Sequence, residues 1–129
     1  KCVDLDGFHH GEVSRNRCVN LKTAKDYPQG HFGIVMNNTN PDMRSERITL
    51  EDNEIEGMKY GGIFVIGREH VVRRNRMRWL NTAGCTESHS ATQACYFLPD
   101  EPGMLRSGTY FGQGAERPDA AHGNTVEDN

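Results

Sequence analysis

The sequence predicts a mainly β fold: a small antiparallel β-sandwich or partly open barrel, stapled by disulfides, with at most one or two short helices and an extended C-terminal tail. Three observations carry this expectation. Apolar residues come in short runs, several alternating at period two, and chain breakers separate those runs at close intervals. Aliphatic content is also thin, with 35% hydrophobic residues and 14 glycines in a chain of 129. Such a modest interior is expected to need covalent staples or neighbouring subunits.

Taken in order, the runs justify each strand. In His31-Phe32-Gly33-Ile34-Val35-Met36, the residues Phe32, Ile34 and Met36 share one face, as in a half-buried strand. Arg47-Ile48-Thr49-Leu50-Glu51 alternates in the same way. Ile63-Phe64-Val65-Ile66 is continuous, β-branched and bounded by Gly62 and Gly67, the signature of a central strand buried on both faces. Ala94 to Leu98 and Thr109 to Phe111 complete the set. Breakers fall at Tyr27 to Gly30, Asn37 to Pro41, Glu51 to Asn53, Gly61-Gly62 and Leu98 to Gly103.

Two stretches suit short helices. Val19 to Lys25 is polar, and Glu69 to Leu80 places Val71, Val72, Trp79 and Leu80 near i, i+7 and i+8. Read as a strand, the second stretch would set arginines on both faces and could serve only as a long edge. No internal repeat and no heptad is apparent. Residues 1–111 read as one domain, and 112–129 as a tail with one aliphatic residue, Val126. That tail is expected to be extended or ordered by a partner.

Net charge is −3 with a pI near 6.1, which lacks the basic field of a nucleic-acid binder. No apolar run approaches the roughly 18–20 residues of a bilayer helix, and no secretory leader is visible at the N-terminus. The four cysteines, Cys2, Cys18, Cys85 and Cys95, include no C-x-x-C pair. Zinc loops favour closer spacing, so two local disulfides, Cys2–Cys18 and Cys85–Cys95, are the natural pairing among three possible connectivities. Asn37-Asn38-Thr39 is a glycosylation acceptor pattern at Asn37. Together these point to an extracellular or virion-surface setting.

Candidate chemistry is sparse. Weak metal candidates are His9, His10, Glu12 and His31, with His70 a further possible ligand; imidazole and carboxylate would suit zinc or non-haem iron. Adjacent histidines point to opposite sides of an extended chain, so one of them would have to join a ligand brought in by the fold. A copper loop through Cys85, His89 and Met104 fails on spacing. No nucleophile elbow or phosphate loop occurs, so no catalytic residue and no cofactor is assigned, and the reading leans away from an enzyme.

The densest charge is Arg68 to Trp79. Arg73, Arg74, Arg76, Arg78 and Trp79 read as a partner-binding segment, since Arg and Trp dominate interface hot spots. Acidic residues at Glu51, Asp52, Glu54 and Glu56, and in the tail at Glu116, Asp119, Glu127 and Asp128, suggest a complementary surface on another copy of the chain. The function expected is therefore a structural subunit of an extracellular, filament or virion-surface assembly, bound to copies of itself or to other proteins. The alternatives are a small metal-dependent hydrolase, or a carbohydrate- or receptor-binding β module using Trp79, Tyr60 or Tyr110.

Overall fold

A computed structural model describes residues 1–21, 32–37, 44–85, 103–112 and 121–129. Its strands are β1 (Val3–Asp6), β2 (His9–Ser14), β3 (Arg17–Val19), β4 (Ile34–Asn37), β5 (Glu46–Glu51) and β6 (Glu54–Glu56). They continue as β7 (Ile63–Val65), β8 (Val71–Arg73), β9 (Arg76–Arg78), β10 (Thr109–Phe111) and β11 (Thr125–Glu127). Every strand pairing described is parallel. Sheet A runs β1-β4-β7-β10, sheet B runs β11-β8-β5-β2, and sheet C runs β3-β6-β9.

Consecutive strands therefore never pair with each other. Each goes to a different sheet, and the chain returns to the first sheet one layer further on. This is a β-solenoid whose coils contribute one strand to each of three parallel sheets. The antiparallel sandwich or barrel expected from the sequence is overturned. Short alternating strands serve either architecture; what differs is the partner, which here lies a whole coil away.

The coil is set at a tight corner between sheets B and C. Arg15, Asp52, Arg74 and Asp128 occupy the same place in successive coils, with φ of 54°, 55°, 52° and 52°. An asparagine follows each one: Asn16, Asn53, Asn75 and Asn129. The left-handed residue turns the chain sharply, and the asparagine points inward to satisfy the backbone the turn exposes. Asn53 Oδ1 accepts from Asn16 N and Nδ2, both at 3.0 Å. Asn75 Oδ1 accepts likewise from Asn53 at 3.2 and 2.9 Å. Asn129 Oδ1 accepts from Asn75 at 3.0 and 2.8 Å. The amide Nδ2 of Asn53, Asn75 and Asn129 also donates to the carbonyls of Val13, Leu50 and Val72.

These ladders reveal the repeat that the bare sequence hides. Equivalent asparagines are separated by 37, 22 and 54 residues, because the stretches of sequence between the strands differ in length. The shortest interval aligns Glu46 onward with Arg68 onward, and there Leu50 and Ile55 match Val72 and Met77, His70 takes the place of Ile48, and the charges invert.

Other expectations meet the structure as follows. Glu69 to Leu80 is not a helix; it is β8, a turn at Arg74-Asn75, and β9. Its arginines lie on the outside of two different sheets, which is how both strand faces of the sequence pattern are accommodated. Val19 ends β3, and residues 22–25 of the other helix candidate lie outside the described set, as does the strand expected over residues 94–98. A 3₁₀ turn at Met104–Arg106 is the helical element among the described residues. Within the segment read as a tail, Thr125–Glu127 forms β11, held in register by β8.

The interior of the coil holds Cys18, Ile34, Met36, Ile48, Leu50, Ile55, Met58, Ile63, Val65 and Val72. Cys2 and Cys18 form a disulfide with Cα atoms 5.8 Å apart, tying the start of β1 to β3; a loop of this size contributes about 3 kcal/mol. Cys85 is also disulfide-bonded, and Cys95, its expected partner, lies outside the described residues. A second apolar cluster covers the outer face of sheet A, where Val35, Phe64 and Tyr110 stack beneath Tyr60, Cys85, Met104 and Leu105. All three residues of β7 are buried, as its continuous apolar run predicts. Gly67 closes this corner: its φ is 112°, and a Cβ there would sit 2.1 Å from the Ser45 carbonyl oxygen.

Candidate interaction face

Sheets B and C turn charged columns outward. Strands in a sheet lie about 4.8 Å apart, so side chains at equivalent places in successive coils are close neighbours, and like charges there repel. The columns alternate accordingly. Arg15, Asp52, Arg74 and Asp128 form one; Arg17, Glu54 and Arg76 another; Glu46 is followed by Arg68, Glu51 by Arg73, and Glu56 by Arg78.

The second coil is thus acidic and the third basic, and they neutralise each other. Arg68 Nη2 lies 2.7 Å from Glu46, Arg73 Nε 2.6 Å from Glu51, and Arg78 Nη2 2.7 Å from Glu56. Arg74 binds both Asp52 and Glu51, each at 2.9 Å. Arg47 crosses the other way, to Glu69 at 2.6 Å. Hydrogen bonds from Arg68, Arg73 and Arg74 hold the carboxyls of Glu46, Glu51 and Asp52 below their ordinary range. Asp52 first, and then Glu51, raise Arg74 in turn, and Glu69 raises Arg47.

The basic segment read from the sequence is therefore largely paired inside one chain, not between copies. Of the residues singled out there, Arg73, Arg74 and Arg78 are engaged with Glu51, Asp52 and Glu56. Arg76 is different. It is exposed and forms no ion pair among the described residues, because Glu54 of the neighbouring coil is turned to Arg17, 3.4 Å away. Next in the chain stands Trp79, 70% exposed, with the Arg78 guanidinium 5.7 Å from its ring centre. Its φ is 50°, at the place where the coil below has Gly57 with φ 75°. A bulky residue in that conformation costs roughly 1 kcal/mol, and among the described residues the Trp79 side chain gains little burial in return.

The histidines cluster at the opposite edge of sheet B. His9 and His10 were expected to diverge, but φ of 55° at His10 turns both rings to one side, with their Nδ1 atoms 3.0 Å apart. Arg47 Nη1 is 3.1 Å from His10 Nε2. A guanidinium only donates, so His10 carries its proton on Nδ1 and donates it to His9 Nδ1. The pair as bonded does not offer two lone pairs to one ion. Glu12 bonds Ser14 on the sheet B surface, and His31 lies outside the described residues. Among the described residues, no three His, Cys, Asp or Glu side chains are placed to share a metal ion.

His70, a further ligand candidate, is fully buried. Ile48 N–H donates to its Nδ1 at 3.1 Å, so the proton sits on Nε2, which faces the Ile66 carbonyl at 3.2 Å. Burial pushes its pKa below the ordinary 6.5. It is a neutral core histidine holding two coils together.

Of the aromatics suited to sugar stacking, Tyr60 is buried and Tyr110 stacks on Phe64 at 6.0 Å; Trp79 stands open. Asn37 is the last residue of β4, and its side chain lies outside the description, as does that of His89. No helix among the described residues is long and apolar enough to cross a membrane. Comparison with protein-family models, with curated proteins and with solved structures finds no match to this chain. Sequence reasoning found Arg76 and Trp79 but not what distinguishes them from their neighbours; pairing each charge with the one 22 residues away assigns Glu54 to Arg76, and only the structure turns that carboxylate to Arg17.

Proposed function

We propose that the protein is a structural module of an extracellular or particle-surface assembly, acting through contacts with other proteins. The observation that carries this reading is the pair Arg76 and Trp79. In a surface where the neighbouring arginines meet carboxylates of the same chain, these two stand uncompensated among the described residues, one without an ion pair and the other in a costly conformation with its side chain exposed. Strain unrepaid by folding is accounted for by a use outside the fold, and Trp and Arg are the residues that most often anchor protein interfaces. A stack of coils tied by asparagine ladders gives such a patch a rigid base, which lowers the entropy lost on binding. The Cys2–Cys18 disulfide supports an oxidising compartment.

The experiment is a stability measurement on Trp79→Gly and Arg76→Ser by urea unfolding. Residues kept for a partner leave folding intact, so Arg76→Ser should stay within about 0.5 kcal/mol of the parent, and Trp79→Gly should match the parent or exceed it by up to about 1 kcal/mol as the left-handed strain is relieved. A loss beyond about 2 kcal/mol for either would make it a structural residue and remove the reading.

A further inference from the structure

We propose that His70 is an acid-sensitive latch at the corner between sheets A and B: a proton on its ring opens that corner while the rest of the coil stays folded. This goes beyond the contact reading above, since it concerns a group sealed in the interior.

Three coils meet at this corner. Arg47, Glu69 and Gly123 turn the chain there with φ of 53°, 57° and 66°, and Ile48, His70 and Asn124 follow them. The His70 ring reaches the second coil. Its Nδ1 accepts from Ile48 N at 3.1 Å, and Nε2 faces the Ile66 carbonyl at 3.2 Å and Ser45 Oγ at 3.5 Å. Gly67 leaves room for the ring, because a Cβ there would stand 2.7 Å from Nε2. Asn124 repeats the arrangement one coil on. Its Oδ1 accepts from His70 N at 2.8 Å, and its Nδ2 donates to the Gly67 carbonyl at 3.0 Å. The corner between sheets B and C is closed in the same way by Asn75 and Asn129, at the same intervals of 22 and 54 residues.

Asparagine therefore suffices for this bond, and its amide keeps an acceptor in acid. Histidine adds one property, a proton taken up near neutrality. An imidazolium has two donors and no acceptor, so protonated His70 turns a donor on the Ile48 N–H and loses that bond. The charge formed has no carboxylate bonded to it. Glu46 of β5 is the charged side chain that acts on the ring, and Arg68 holds it at 2.7 Å. Arg47 and Glu69 pair with each other on the outside, and His122 meets the corner through its carbonyl on Glu69 N. Ser45, Ile48, Ile66 and Asn124 bring no titrating group. Water reaching the opened corner is what stabilises the cation.

Burial holds the folded ring below 6.5, whereas an opened, hydrated ring titrates near its ordinary value. The latch is thus closed above that pH. Below it the opening constant rises about tenfold per pH unit, until the folded value is reached.

Amide hydrogen exchange from about pH 7.5 to 4.5, corrected for the intrinsic rate, tests this on the parent and on His70→Asn. The Ile48 amide reports on the latch and the Asn53 amide on the corner between sheets B and C. In the parent, Ile48 should lose protection about tenfold per unit in acid while Asn53 changes less than about twofold. In His70→Asn both should stay level. Loss at both amides together would mean global unfolding and overturn the latch. Equal opening of Ile48 in the variant would place the trigger elsewhere and overturn it too. Should that variant not fold, Asn at positions 9, 10, 31, 89 and 122 leaves His70 as the one histidine: a one-proton slope kept at Ile48 supports the latch, and a slope lost there sinks it.

Discussion

Sheet A and sheet B are wound from the same coils, yet their outer faces solve opposite problems. On sheet A the outward column is Val35, Phe64 and Tyr110, sealed under Met104 and Leu105. On sheet B the outward columns that begin at Glu46 and Glu51 alternate in sign from coil to coil on either side of the uncharged Thr49, Val71 and Thr125. One face is held by apolar burial and the other by pairing of charges that solvent partly screens. The difference teaches where stability resides. The arginines dominate the appearance of the third coil, while the interior and the covered face of sheet A carry its folding energy.

Mutations that compare the two faces should therefore differ in scale. The largest effect is expected from Phe64→Ala, about 3–5 kcal/mol, alongside about 2–5 kcal/mol for Leu50→Ala in the interior, both measured by urea unfolding. A cost for Phe64→Ala below 1 kcal/mol would show that the outer cluster is not a true second core. Next comes Asn75→Ala. It strips the Asn53 amide and the Leu50 carbonyl of their partners, and should cost about 3 kcal/mol.

Acidification separates the contributions in order. His70 in the folded chain resists the proton that the unfolded chain takes up near 6.5. Its contribution is full above that pH and declines as pH falls through it towards the lower folded value. The carboxyls of Glu46, Glu51 and Asp52 are held below 4.5, 4.5 and 3.8, so theirs persists until lower pH. Unfolding midpoints followed from pH 8 to 3 should fall in two stages, and His70→Asn should flatten the first while leaving the second.

The smallest effect belongs to the charged face. Reversing Glu56 alone, as Glu56→Arg, should cost about 1 kcal/mol or less, with most of it restored by adding Arg78→Glu. A double-mutant cycle showing no coupling would mean that the ladder of charges specifies register without stabilising it.

The sequence by itself determined the local structure of the alternating and continuous apolar runs, though not that of Glu69 to Leu80. Period-two runs, glycines and Asx turns specify short strands and sharp corners, because these depend on neighbours along the chain. The burial of Ile63 to Val65 and the closing of Cys2 on Cys18 were legible for the same reason. Only the tertiary structure decided which strand lies beside which. An in-out alternation looks identical in a parallel coil and an antiparallel sandwich, and the unequal lengths of sequence between strands obscure the repeat that would have told them apart. The same holds for the charges: their complementarity is written in the residues, but whether the acids meet the arginines of their own chain or of another depends on coils stacking about 4.8 Å apart. That stacking satisfies Arg73, Arg74 and Arg78 within the molecule and leaves Arg76 and Trp79 facing outward.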